Sequence, residues 1–219
     1  MLEYEEINPL IKPRASVIWM HGLGSNGFDF MEIVTLMKLP VELGVRFIFP
    51  HAPFRDVKLT NSNTRSWFNI FDINFPFVEE DYSGIVESAK LIQQLIEKEI
   101  NNGIPSSKII VVGFSQGGAM ALHIYINYEK ELAAAISLSA WLPLMDRVYQ
   151  EKNTNNKKNT IFIMHGTIDK LVPIKLAKIS NNWLLNNNFN TSFKSYFVGH
   201  SICNDQISDL RKHFQYILQ

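Results

Sequence analysis

Three side chains of this sequence have the types and the order needed for acyl-transfer chemistry. Ser115 lies in Gly113-Phe114-Ser115-Gln116-Gly117, Asp169 closes His165-Gly166-Thr167-Ile168-Asp169, and His200 sits in Gly199-His200-Ser201. A serine hydroxyl is a poor nucleophile until an imidazole accepts its proton. The imidazole in turn needs a carboxylate on its other N–H, which selects the tautomer and stabilises the imidazolium. Ser115 is the candidate nucleophile, His200 the base and Asp169 the orienting acid, and the order Ser, Asp, His is one of the known chain orders for such a triad.

Position separates these three from the alternatives. The chain has six histidines. His123 and His213 fall inside predicted helices, while His51 and His165 precede Ala52-Pro53 and Gly166, where hydrogen bonding in a turn is expected. His200 follows the last predicted strand. The same ground favours Asp169 over Asp146, Asp205 and Asp209. No His/Cys/Asp cluster has metal-ligand spacing, so no metal is expected.

The serine motif carries its own context. Ile109 to Val112 is an apolar, β-branched run, and a small-residue helical pattern follows Gly117. Strand, sharp turn and helix would lift the Ser115 hydroxyl above the end of a sheet. The tetrahedral oxyanion formed on attack needs donors aimed at it. One backbone N–H is expected from Gln116, directly after the nucleophile. The other is expected from Leu23 in His21-Gly22-Leu23-Gly24-Ser25-Asn26-Gly27, the glycine-rich loop after an earlier strand. That loop lacks the Lys-Ser/Thr of a phosphate-cradling P-loop and the spacing of a dinucleotide fingerprint.

Alternating elements must position these loops. Strands are predicted at Ala15 to Met20, Arg46 to Phe49, Lys108 to Val112, Ala133 to Leu138, Thr160 to Met164 and Thr191 to Val198. Helices are predicted after residue 28, from Asp81 to Ile100, from Gln116 to Tyr128, from near Pro173, and over Ile207 to Leu218. This alternation predicts an α/β fold with a mostly parallel central sheet and helices on both faces, residues 1–219 forming one domain. Loops after the carboxyl ends of parallel strands share one edge, so residues distant in sequence can meet there. Between His51 and Val78 periodicity is weak but aromatics abound (Trp67, Phe68, Phe71, Phe75, Phe77); they either wall a pocket or pack the loop onto the core. The polar run Glu151 to Asn159 is expected to be a solvated surface loop.

Composition narrows the function classes. The 219 residues carry 21 basic and 21 acidic side chains, so no electrostatic footprint for nucleic acid or an anionic membrane exists. No apolar run approaches the ~18 residues of a membrane span, and the acidic start Met1-Leu2-Glu3-Tyr4-Glu5-Glu6 has no signal-peptide pattern. A cytoplasmic protein is expected. The single Cys203 cannot form an internal disulfide and is expected to act as a small buried hydrophobe.

With these residues placed, the chain resembles the acyl-protein thioesterase and small carboxylesterase family, the phospholipase/carboxylesterase group of α/β-hydrolases. The resemblance spans nearly the whole chain. It is carried by HGLGSNGFDF (His21 to Phe30), RFIFPHAP (Arg46 to Pro53), RSWF (Arg65 to Phe68), GFSQGGAMAL (Gly113 to Leu122), LSAWLP (Leu138 to Pro143), HGTIDKLVP (His165 to Pro173) and GHS (Gly199 to Ser201). It implies the triad Ser115, Asp169 and His200, oxyanion donors at Leu23 and Gln116, and cofactor-free hydrolysis of esters or thioesters. It also implies acyl-chain contacts near Trp67, Phe68, Phe75, Trp141 and Leu171. Asn69 stands where the family usually has aspartate, and the aromatic segment Asp72 to Val78 departs from the family pattern.

The reading that follows is a serine hydrolase forming an acyl-serine intermediate, with carboxylesterase activity on short to medium acyl chains preferred. Acyl-protein thioesterase and lysophospholipase are the alternatives. A binding protein that kept the fold without turnover is the remote one. The expected partner is a small-molecule or acylated-protein substrate, and exposed hydrophobic loops leave a homodimer open.

Overall fold

The computed structural model describes residues 1–71, 79–145, 147 and 155–219. Its centre is a seven-stranded sheet built from β1 (Tyr4–Ile7), β2 (Ala15–Met20), β3 (Val45–Pro50), β6 (Ile109–Phe114), β7 (Ala134–Leu138), β8 (Thr160–Gly166) and β9 (Asn190–Tyr196), in the spatial order β1-β3-β2-β6-β7-β8-β9. Every neighbouring pair is parallel except β1 with β3. A separate hairpin pairs β4 (Phe54–Val57) with β5 (Ser62–Arg65).

The strands read as continuous apolar runs because both faces are covered. All six residues of β2 are buried, and they alternate: Val17 and Trp19 belong to one apolar cluster, Ile18 and Met20 to the other. The first cluster is completed by α1 (Met31–Met37) and α5 (Asn204–Leu218), through Met37, Leu210 and Phe214. The second is completed by α2 (Tyr82–Asn101), α3 (Gln116–Asn127) and α4 (Ile174–Asn186), through Ile85, Ile92, Leu95, Tyr125 and Leu184. In α2 the stripe Ile85, Ala89, Ile92, Leu95 and Ile96 is buried, and Asp81 caps its start by accepting from the Gly84 N–H at 2.9 Å.

From β2 the chain runs through α1 on one face to β3, then through α2 on the other face to β6. The connections therefore leave β2 and β6 toward opposite sides. A crevice opens beyond the carboxyl ends of neighbouring strands at such a switch point. The glycine-rich loop follows β2 and Ser115 follows β6, so both reach it.

One strand of the central sheet is not among those predicted, and three local expectations are revised. β1 is an antiparallel edge strand; its polar Tyr-Glu-Glu-Ile pattern has too little alternation to announce it, and charged residues suit a sheet edge. β9 ends at Tyr196 rather than Val198, because the Val198 N–H turns back to the Tyr196 carbonyl. Within the run expected to be solvated, Asn156 is fully buried: its Oδ1 accepts from Leu132 N–H at 2.7 Å and its Nδ2 donates to Tyr125 O at 2.9 Å. Cys203 is half-buried at the start of α5 rather than in the core.

Candidate active site

The turn after β6 is shaped by close backbone approach. Ser115 has φ 55° and ψ −121°, a conformation that L-residues seldom adopt and that costs of order 1–3 kcal/mol. Its N–H donates to Leu138 O at 2.8 Å, so the next strand holds the strained residue in place. The flanking glycines leave room for nothing else: a Cβ on Gly113 would lie 2.0 Å from Gly117 O, and one on Gly117 would lie 2.2 Å from Met20 O. The fold therefore requires glycine on both sides and aims the serine side chain out of the turn.

Three loops converge on that hydroxyl. His200 Nε2 lies 2.9 Å from Ser115 Oγ, and His200 Nδ1 lies 2.7 Å from Asp169 Oδ2. A carboxylate can only accept, so Nδ1 carries the proton and Nε2 is free to accept from the serine. Asp169 is fixed on its other oxygen as well, where Oδ1 accepts from the N–H groups of Leu171 and Val172, both at 2.9 Å. His165 stands behind the carboxylate, with its Nε2 donating to Val172 O at 2.8 Å and lying 3.6 Å from Asp169 Oδ2. Burial depresses the His165 pKa and keeps the ring neutral.

The other side of Ser115 is built from main chain. Gln116 is the first residue of α3, where the helix leaves its N–H groups without intrahelical partners. Leu23 faces the same space from the loop after β2. Two histidines hold that loop without lining the cavity. His21 donates through Nδ1 to Gly22 O at 2.7 Å and accepts at Nε2 from Ala52 N–H at 3.0 Å. Burial pushes its pKa down to about 4, so it stays neutral and makes both bonds. His51 accepts at Nδ1 from the Gly27 N–H at 3.1 Å. Turn hydrogen bonding expected for His51 and His165 is what the structure displays.

A cavity of about 350 Å³ opens at these groups. Leu23, Ser115, Gln116 and His200 line it together with Phe30, Phe68, Phe114, Trp141 and Leu171. Phe68 and Trp141 meet edge to face, ring centroids 6.2 Å apart. Of the acyl-contact residues expected from the sequence, Phe68, Trp141 and Leu171 lie on the wall, and Phe75 falls outside the described residues. Trp67 is a correction: it is fully buried and not part of the lining, because its indole is spent inside the protein, Nε1–H donating to His21 O at 2.8 Å. Asn69, noted in the sequence only as standing where the family usually has aspartate, lines the cavity too; its Oδ1 accepts from Lys58 N–H at 3.0 Å and its Nδ2 donates to Asp56 O at 3.2 Å. An aspartate could make the first bond but not the second, so asparagine here fits its own hairpin.

An apolar cavity with a strained serine, a hydrogen-bonded imidazole and a buried carboxylate at its end, on a sheet of this topology, defines the α/β-hydrolase class. The chain belongs to the phospholipase/carboxylesterase family, whose model matches residues 3–218. Acyl-protein thioesterase 1 of Neurospora crassa is 35% identical over 214 residues, 91% of this chain and 87% of that protein. Acyl-protein thioesterase 1 of Cryptococcus neoformans is 30% identical over an alignment of 227 residues, 96% of this chain and 95% of that protein. Among solved structures, SOBER1 of Arabidopsis thaliana superposes with a TM-score of 0.89 at 30% identity, covering 94% of this chain and 100% of that one. Acyl-protein thioesterase 2 of Zea mays does so with a TM-score of 0.88 at 26% identity over 100% of both chains. The chain is accordingly a hydrolase. Among the described residues no helix is long and apolar enough to cross a membrane.

Proposed function

We propose that this chain is a serine hydrolase that cleaves acyl thioesters on proteins, with Ser115 as nucleophile, His200 as general base and acid, and Asp169 as the orienting carboxylate. The supporting observation is the continuous line of hydrogen bonds Ser115–His200–Asp169, at 2.9 and 2.7 Å, ending in an apolar cavity. His200 takes the serine proton as Oγ attacks the acyl carbonyl, and the charge that develops on the carbonyl oxygen is met by the N–H groups of Leu23 and Gln116. The tetrahedral adduct collapses by expelling the thiolate, which receives the proton from His200. A water molecule, deprotonated by the same imidazole, then hydrolyses the acyl-serine and regenerates the enzyme.

The choice of thioester over the oxygen esters of short to medium acyl chains preferred from the sequence rests on the curated relatives, which at 30–35% identity are named as acyl-protein thioesterases. Fluorophosphonate labelling with peptide mapping tests the nucleophile: the adduct is expected on Ser115, and Ser115→Ala should lose more than about 10⁴-fold in kcat. An adduct elsewhere, or hydrolysis by Ser115→Ala at the normal rate, removes the reading. Rates on an S-acylated peptide, the matching O-acyl serine peptide and a lysophospholipid, compared at equal chain length, decide the substrate class. The S-acyl peptide should show the highest kcat/KM.

A further inference from the structure

We propose that residues 65–68, Arg-Ser-Trp-Phe, act as a strap that locks the two oxyanion amides to each other, with Trp67 and the Gln116 side chain as positioning residues. This inference rests on the roles proposed above for Leu23, Gln116 and Ser115.

The two amides come from separate loops, one after β2 and one after β6. Pairing of β2 with β6 and the close approach of Gly117 to Met20 O set the bases of these loops, and the side-chain bonds beyond that point come from the strap. The strap touches both. On the Leu23 side, Trp67 Nε1–H donates to His21 O at 2.8 Å, and Gly24 N–H donates to Arg65 O at 2.9 Å. Leu23 is thus bracketed by two residues bonded to the same four-residue segment. On the Gln116 side, the side-chain Oε1 accepts from Trp67 N–H at 2.9 Å while Nε2 donates to Phe68 O at 2.7 Å and to Ser66 Oγ at 3.0 Å. The carboxamide is 1% exposed and reads three consecutive residues of the strap.

The strap is itself anchored. Ser88 Oγ in α2 donates to Trp67 O, and Arg65 Nη1 donates to Ala52 O at 2.9 Å. The Ala52 N–H donates to His21 Nε2, which closes a ring of bonds through the glycine-rich loop. Trp67 uses its main-chain N–H, its carbonyl and its indole N–H in this network, and the indole ring packs on His21 with centroids 5.3 Å apart. A residue that merely filled space would need none of the three. Donors that stabilise an oxyanion act most strongly when they are held in place before charge develops. Cross-linking the two loops through one buried tryptophan, its indole N–H on one side and its main-chain N–H on the other, achieves that from outside the cavity lining.

The test is Trp67→Phe, which keeps an aromatic ring and deletes the Nε1–H. With an S-acyl peptide, kcat should fall about 10- to 100-fold, short of deleting a donor outright. KM should stay within about twofold, since the cavity wall is untouched. The affinity of a long-chain trifluoromethyl ketone, whose tetrahedral serine adduct places an oxyanion in the hole, should fall by the same factor as kcat. The affinity of a thioether analogue without a carbonyl should not change. If Trp67→Phe does not fold, Ser66→Ala, which deletes a buried partner of the Gln116 carboxamide outside the cavity lining, is read in the same way. A rise in KM with kcat unchanged, equal weakening of both inhibitors, or wild-type kinetics overturns the proposal. Ser115→Ala run in parallel separates the two levels: if it is inactive while Trp67→Phe behaves as wild type, only the strap is wrong.

Discussion

Asp169 and His200 are held mainly by each other and by the turn around the carboxylate, whereas the neighbours of Leu23 and the Gln116 side-chain carboxamide are bonded to residues 65–68, of which Ser66 and Trp67 do not line the cavity. On the proposed acid–base side the bonds that fix the geometry are the bonds that would move protons. On the proposed oxyanion side they are buried and neutral. The two halves are therefore expected to fail in different ways: the first by losing chemistry when a partner changes, the second by losing geometry. The histidines repeat the contrast. His200 faces the cavity and is aligned for proton transfer, while His21 and His165 are buried, held neutral, and work as fixed donors and acceptors.

The contrast can be broken most sharply at Asp169. Replacing it by asparagine keeps the shape but offers His200 a group that can present the wrong tautomer, and kcat should fall on the order of 10³- to 10⁴-fold with KM little changed. Steady-state kinetics on a soluble thioester checks this, and a loss below tenfold would mean that the imidazole is oriented by something other than this carboxylate. The elbow between the halves comes next. In Gly117→Ala the new methyl would sit 2.2 Å from Met20 O, so β2 and α3 must separate, at a cost of about 2–4 kcal/mol in urea denaturation.

The neutral scaffold histidines predict a pH effect on stability that is distinct from the effect on rate. Burial holds His21 and His123 at about 4 in the folded protein, while the unfolded chain binds their protons near pH 6.5. Between those values the unfolded state binds more protons, so stability falls as pH is lowered from about 6.5 to 4 and the loss levels off below that. Each histidine contributes up to about 3 kcal/mol to this fall. Urea titrations across the window check the sign, and His123→Gln should flatten the curve. Activity should also drop on acidification, as protonated His200 can no longer accept from Ser115; that drop should reverse fully wherever the protein stays folded.

The smallest effect belongs to the cavity wall. Trp141→Ala removes the partner of Phe68 and widens the apolar space, which should shift chain-length preference by about 1–2 kcal/mol in kcat/KM between short and long acyl groups. An acyl series from four to sixteen carbons, on the order of two carbons per step, measures it; an unchanged profile would place the acyl chain elsewhere.

Local chemistry determined much of this protein from the sequence by itself. Glycine spacing around Ser115, β-branched runs followed by helical stripes, and a histidine after the last strand are short-range patterns, and each follows from backbone sterics or hydrophobic period over a few residues. They led to the α/β alternation, to the three residues that the structure brings together and to the identity of the two loops beside them. What needed the tertiary structure is everything set by pairing across long separations. The edge strand β1 exists because β3 offers it an open side, Asn156 is buried because three distant carbonyls and an amide surround it, and Trp67 turns inward because His21, 46 positions away, presents an acceptor. An aromatic residue looks alike in sequence whether its ring meets a substrate or its N–H meets a carbonyl. Only the packed chain supplies the partner that decides between the two.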